Sequence, residues 1–306
     1  MNPQGTNFKL TREEANAIEE IIYAPRGTNP KYSLELCSEE TGFKKSDLER
    51  WVRAIDRKGQ AVVYGPPGTG KTFIARLLAR NLVGGGDGFV DFIQFHPAYA
   101  YEDFIQGIRP QTNADGQLEY PLVQGRFLEF CEKASKCNGT CVLIIDEINR
   151  ANLSRVFGEL MYLLEYRGDK ISLASGGFLQ IPENVRIIGT MNTADRTIAL
   201  VDHALRRRFA FLGLQPNYDA LELYHEREKT GFPVKRLIDI LKMLNISIDN
   251  PHYEVGISYF LRRDLMDHIE DIWKMEIEPY LEEYFFDNPD KLREVRWDSI
   301  EKDLNA

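Results

Sequence analysis

The sequence lacks any stretch approaching about 18 uncharged apolar residues, which excludes a transmembrane helix as the chain's organising feature. Its opening residues, Met1 to Leu10, are polar and lack the apolar core of a secretory signal, so a cytoplasmic protein with no membrane partner is the default expectation. Cysteine and histidine are scarce, at four and five. Cys131, Cys137 and Cys141 have no histidine near enough for a zinc pattern, and the histidines form no HExxH pair. The thiols read as reduced and packed, behaving as small hydrophobes. Positive charge is also in deficit: 38 Lys and Arg face 47 Asp and Glu, for a net charge of −9. A protein gripping nucleic acid over a broad face usually needs a basic surface. Wide DNA contact is therefore not expected, and only a local basic lining, such as that of a ring pore, is compatible with the total. There is no internal repeat and no low-complexity tract.

What the 306 residues do contain is room for a large domain and a smaller one. Thr11 to Ala24 reads as a short amphipathic helix with Ala15, Ile18, Ile21 and Ile22 apolar, broken by the run from Pro25 to Pro30. A capping box, Ser46-Asp47-Leu48-Glu49, predicts the start of a second helix carrying Leu48, Trp51, Val52 and Ile55 on one face and ending at Gly59. Ala61 to Tyr64 is a short buried strand. Helices from Phe73 to Val83, Gly125 to Ser135 and Leu153 to Glu165 then alternate with strands from Val90 to Phe95, Cys141 to Ile145 and Val185 to Met191. Short apolar strands separated by helices mean an α/β fold, a parallel sheet covered on both faces. After Phe211 the pattern turns to helices. The expected organisation is an N-terminal helical arm or linker over 1–45, a large α/β subdomain over 46–212 and a helical lid over 213–306.

Gly65-Pro66-Pro67-Gly68-Thr69-Gly70-Lys71-Thr72 matches the G-x-x-x-x-G-K-[ST] phosphate loop in full, directly after a strand and opening a helix. Its glycines let backbone N–H groups converge on phosphate oxygens, and the helix N-terminus adds a favourable field for the anion. Lys71 is placed to reach the β- and γ-phosphates, and the Thr72 hydroxyl to ligate Mg²⁺. Downstream, Val142 to Ile145 is an apolar strand that ends in two acids, Asp146 and Glu147. Adjacent acids at a strand end are often only a solvated cap. Beside an intact phosphate loop they suit holding Mg²⁺ through its water shell (Asp146) and orienting or deprotonating the attacking water (Glu147).

A third strand ends at Asn192. If it and the acid strand flank the phosphate strand, Asn192 can contact the attacking water or the γ-phosphate. Arg206-Arg207-Arg208 follows on the next helix, either as a solvated basic cluster or as the source of an arginine finger supplied to a neighbouring subunit, with Arg207 or Arg208 favoured over Arg206. Asn149 could help Glu147 position water and Arg150 could cross an interface, unless both merely cap the helix at Leu153. Asn192-Thr193-Ala194-Asp195 invites comparison with a guanine-reading motif, because a carboxylate can accept from guanine N1–H and N2–H. A run at the γ-phosphate cannot easily serve the base as well. Asn192, Asp195 and Arg196 are therefore expected at the γ-phosphate and the subunit interface, and the base contacts around Tyr32 to Phe43 together with the lid.

These residues together resemble an AAA+ P-loop NTPase. More narrowly the chain resembles the McrB family, the GTP-dependent motor subunits of modified-cytosine (type IV) restriction systems. The resemblance rests on Phe95-His96 with the run from Tyr99 to Gly107, on Asp146 to Ser154, on Met191 to Arg196, on Ala204 to Phe209, and in the lid on Ser258-Tyr259-Phe260 and Leu281 to Phe286. It covers roughly 46 to 290. The resemblance implies a hexameric ring with composite active sites, GTP as substrate with Mg²⁺, and stimulation by a McrC-like nuclease subunit. It also implies that modified DNA is read by a separate N-terminal domain, for which the residues ahead of the core are too few, so that target reading would lie in a missing segment or in the partner. One departure is Ile257, where the family often has histidine ahead of Ser-Tyr-Phe. Two rivals share much of the pattern: an ATP-driven remodelling factor of the MoxR or dynein-related kind, and a nucleotide-gated assembly scaffold with little turnover.

Overall fold

A computed structural model of the chain describes residues 28–113, 115–195 and 203–305. The Thr11 to Ala24 helix expectation and Arg196 lie outside them. The central feature is a five-stranded sheet of β1 (Gln60–Gly65), β2 (Val90–Gln94), β3 (Cys141–Asp146), β4 (Val185–Asn192) and β5 (Ala210–Gly213), in the order β5-β1-β4-β3-β2. Every pairing is parallel, as the all-apolar character of β1 and β3 requires of strands buried on both faces. One face is covered by an aromatic cluster in which the Phe104 ring stacks on Phe127 and Phe157. The other face packs on Leu48, Ile55, Ile74 and Leu78 from the Lys45–Lys58 and Lys71–Val83 helices. Tyr32 and Cys37 join this second core from ahead of residue 46. A separate core around Trp273, Phe260, Leu241 and Leu281 holds the C-terminal helices together. Among the described residues, no helix is long and apolar enough to cross a membrane.

Four local expectations change. The helix after the first linker runs Lys45–Lys58 with Lys44 at its N-cap and no side-chain cap, so the Ser46 box is not formed. Its start is set by Phe43, whose ring meets Trp51 edge-on at 5.3 Å. The expected Leu153 to Glu165 helix is two short ones, Leu153–Phe157 and Leu160–Leu163. Gly158 separates them at φ 49° and ψ −123°, and a Cβ there would meet the Tyr101 ring at 2.8 Å. Strand β5 was not visible in the sequence, because four residues between an arginine-rich helix and a proline-bearing loop carry no alternation. Finally, β4 does not lie on the far side of the phosphate strand from the acid strand. It inserts between β1 and β3, so the two flank it.

Candidate active site

Parallel strands present their C-terminal ends together, and here β1 ends at Gly65, β3 at Asp146 and β4 at Asn192, with Gly65 in register with Asn192. Gly70, at φ 80°, turns the loop into the helix that begins at Lys71. The Pro66 carbonyl accepts from both Thr69 Oγ1 and Lys71 Nζ, each at 2.8 Å. Burial pulls the Lys71 ammonium down from 10.5 to about 8, against the opposing pull of Glu147, Asp146 and Asp195. Thr72 Oγ1 donates to Asp146 Oδ1 at 2.7 Å. A carboxylate and a hydroxyl side by side form the hard oxygen pair that suits Mg²⁺, a cation that keeps several waters and takes its remaining ligands from substrate phosphates. Among the described residues, no group of three or more His, Cys, Asp or Glu side chains is placed to hold a metal ion.

Glu147 follows in the left-handed conformation, φ 54° and ψ 42°. Its carboxylate meets Arg150 Nε at 3.0 Å, and the same nitrogen lies 3.8 Å from Asp195 Oδ2. Asn149 is buried and points its amide at the Asn192 carbonyl, 3.5 Å away, while its own Oδ1 has no hydrogen-bond partner. Neither Asn149 nor Arg150 caps the helix at Leu153. That task falls to Asn152, whose side chain accepts from Arg155 N. The Asn192 side chain accepts from Ala194 N at 3.3 Å. Glu147, Asn149, Arg150, Asn192 and Asp195 thus form one polar cluster beyond the phosphate loop.

The arginine cluster is elsewhere. Arg207 Nη2 donates to both carboxylate oxygens of Glu165, at 2.7 and 2.8 Å, and Arg208 reaches the same carboxylate at 3.1 Å. The Arg208 carbonyl accepts from Gln60, the first residue of β1. At a rise of about 3.3 Å per residue, five steps along β1 put this helix roughly 16 Å from the phosphate loop, out of reach of the chain's own γ-phosphate.

Three further features surround the site. Thr190, two residues before Asn192, donates to Asp146 Oδ1 and accepts from the Glu147 backbone amide. The lid closes directly on the phosphate loop: Gly256 N donates to Pro67 O at 3.1 Å and Ser258 N to Gly68 O at 2.9 Å. A Cβ at Gly256 would lie 2.1 Å from the Gly68 carbonyl carbon, so this approach requires glycine. Ile257 is buried between them. Third, a cavity of about 240 Å³ adjoins the loop, lined by Glu40, Thr41, Phe43, Thr69, Gly70, Phe73 and Ile74 and by lid residues including Ala220, Leu223, Tyr224, Arg227 and Ile257. Nothing local marked Thr190 or the lid glycine, whereas the cavity lies between the segment around Tyr32 to Phe43 and the lid, where the base contacts were expected.

Comparison with known proteins agrees with this architecture. A family model described as AAA domain (dynein-related subfamily) matches residues 60–209, and one described as McrB, alpha-helical lid domain, matches 236–293. The chain is 37% identical over 296 residues to the EcoKMcrB subunit of a type IV methyl-directed restriction enzyme from Escherichia coli K12, an alignment covering 88% of this chain and 63% of that protein. It is 28% identical over 240 residues to the YdiS component of the type II restriction enzyme BsuMI from Bacillus subtilis 168, covering 66% of this chain and 63% of that one. The chain therefore spans less than two thirds of the length of these curated relatives. With an AAA domain followed by a McrB lid, and this identity over most of its length, the chain belongs to the McrB-type AAA proteins.

Proposed function

We propose that the chain is the motor of a McrBC-like restriction system, hydrolysing a Mg²⁺-nucleoside triphosphate, GTP in preference to ATP, in a hexameric ring whose active sites are completed by a neighbouring subunit. The carrying observation is the convergence of Lys71, Thr72, Asp146 and Glu147 at the C-terminal ends of β1 and β3, the parallel strands that flank β4, with Thr72 bonded to Asp146. In this reading the backbone from Gly65 to Gly70 cradles the phosphates, and Lys71 leaves the Pro66 carbonyl for the β- and γ-phosphates. Thr72 and Asp146 would hold Mg²⁺, which would supply neutralisation of the charge that develops on the phosphates. Glu147 takes the proton of the attacking water or orients it, with Asn149 and Asn192 as further polar contacts at the γ-phosphate. Arg150 and Asp195 set the direction of Glu147. Arg196 belongs to the same interface, and Arg207 or Arg208 serves the next subunit's site.

Guanine preference is supported by the resemblance to McrB and by the cavity beside Gly70. That cavity is mostly apolar, as a stacked base requires, and Glu40 at its rim offers an acceptor to guanine N1–H and N2–H, where adenine presents a lone pair. The ring drives or regulates a McrC-like nuclease. Steady-state hydrolysis of GTP and ATP, each with and without Mg²⁺ and over a range of protein concentration, tests the proposal. A clear preference for ATP favours the remodelling-factor reading, to which the match with the dynein-related AAA model lends weight.

A further inference from the structure

Thr190 is a buried polar residue, 2% exposed, on the strand between the phosphate loop and the acids. The pairing of Gly189 with Ile145 sets it level with Asp146, although the two are 44 residues apart in the chain. Its hydroxyl donates to Asp146 Oδ1 at 2.6 Å and accepts from the Glu147 amide at 3.1 Å. A threonine hydroxyl carries one proton. With an N–H facing its lone pair, that proton is committed to the carboxylate. Asp146 Oδ1 also accepts from Thr72 at 2.7 Å, so one oxygen takes both hydroxyls and Oδ2 takes neither. The second bond acts on Glu147. A glutamate at φ 54° occupies a region that side-chain-bearing residues seldom adopt, and its amide is anchored there by the Thr190 oxygen.

We propose that Thr190 is a positioning residue for hydrolysis. One hydroxyl fixes the Asp146 carboxylate for the metal and the Glu147 peptide for the water, coupling the two acids to the sheet through β4. This rests on the reading of the site as a Mg²⁺-dependent triphosphatase. Partners of this kind, one bond removed from a metal, typically change metal affinity or activity by about 10- to 100-fold when lost. A buried strand threonine that merely satisfies its own hydroxyl would have no such effect.

The test compares Thr190→Val, which keeps the shape and removes the hydroxyl, with Thr190→Ser, which keeps the hydroxyl and removes the methyl. The valine variant is expected to lose about 10- to 100-fold in kcat with KM within about threefold. A fluorescent non-hydrolysable triphosphate analogue, titrated with Mg²⁺, should need about tenfold more Mg²⁺ for half-maximal tight binding. The serine variant should stay within about threefold of the unmutated protein on both measures. Valine with unaltered kcat and Mg²⁺ dependence overturns the proposal, and so does serine as impaired as valine, which would assign the effect to packing. If the valine variant fails to fold, Thr190→Cys supplies the comparison, with a weaker donor in similar volume. Should the unmutated protein hydrolyse no triphosphate at all, the triphosphatase reading fails, while the Mg²⁺ titration still decides the role of Thr190.

Discussion

Arg150 Nε lies 3.0 Å from Glu147 Oε2, so the acid best placed to act on water is paired with a cation three residues along its own chain. Both side chains keep some solvent contact, at 49% and 24%. So exposed a pair adds little to the stability of the fold, and in the proposed mechanism it directs the carboxylate. In that role the two residues act as a unit, and their substitutions should not add. Glu147→Gln is expected to keep triphosphate binding and lower turnover by at least about 100-fold. Arg150→Ala should lower turnover about tenfold alone and cause no further loss in the Glu147→Gln background. Additive losses in the double variant would show that Arg150 acts independently of Glu147, for example across a subunit boundary.

Lys71 makes triphosphate binding sensitive to alkaline pH. Burial depresses the free ammonium to about 8, and a polyphosphate beside it favours the charged form and raises that value on binding. Binding is thus linked to proton uptake above pH 8. The affinity for a non-hydrolysable analogue should be level below that pH and fall by up to about tenfold per unit above it. For the unliganded fold the sign is opposite. Between 8 and 10.5 the unfolded chain holds the extra proton, so this lysine's contribution to stability rises with pH over that window. Affinity unchanged to about pH 9 would mean that Lys71 stays charged throughout.

Base choice should depend on Glu40. Among its polar neighbours in the cavity, Asn217 is committed to the Thr41 carbonyl at 3.1 Å and to Ala220 N at 3.3 Å. A charged hydrogen bond contributes about 1.5–3 kcal/mol, so Glu40→Gln is expected to weaken GTP binding by at least about tenfold. ATP binding should stay within about twofold. Equal losses for both nucleotides would assign Glu40 to the shape of the cavity, and no loss would move guanine reading elsewhere.

Subunit complementation tests whether Arg207 acts as a finger. Arg207 is 70% exposed even while paired with Glu165, whereas Arg208 is 15% exposed. An exposed pair of this kind contributes up to about 1 kcal/mol, so Arg207 can leave Glu165 for a neighbouring phosphate at small cost. Arg207→Ala and Lys71→Ala should each be inactive alone and recover activity when mixed, since some interfaces then join an intact loop to an intact finger. Arg208→Ala should lower Tm instead. Demonstrably mixed rings that regain nothing would remove the finger role from Arg207.

The elements and the residues that define the site were legible in the sequence because each is a local pattern. A phosphate loop is eight consecutive residues, Asp146 and Glu147 end an apolar run, and alternating strands and helices imply a covered parallel sheet. Helix ends were less legible: Phe43 packing on Trp51 overrode the Ser46 capping signal, and Gly158 against Tyr101 split a helix that periodicity had left whole.

Strand order has no local signature, since any parallel order leaves the same pattern of buried side chains. Only the tertiary structure decided that β4 lies between β1 and β3. That placement brings Thr190 onto Asp146 and Glu147 and aligns Asn192 with the first residue of the phosphate loop. It also decided that the Arg208 carbonyl meets Gln60 at the far end of β1 and that Gly256 closes on Pro67. These contacts join residues from 43 to 189 positions apart, and long-range pairing of that kind is set by the packing of whole elements, not by the preferences of the residues that meet.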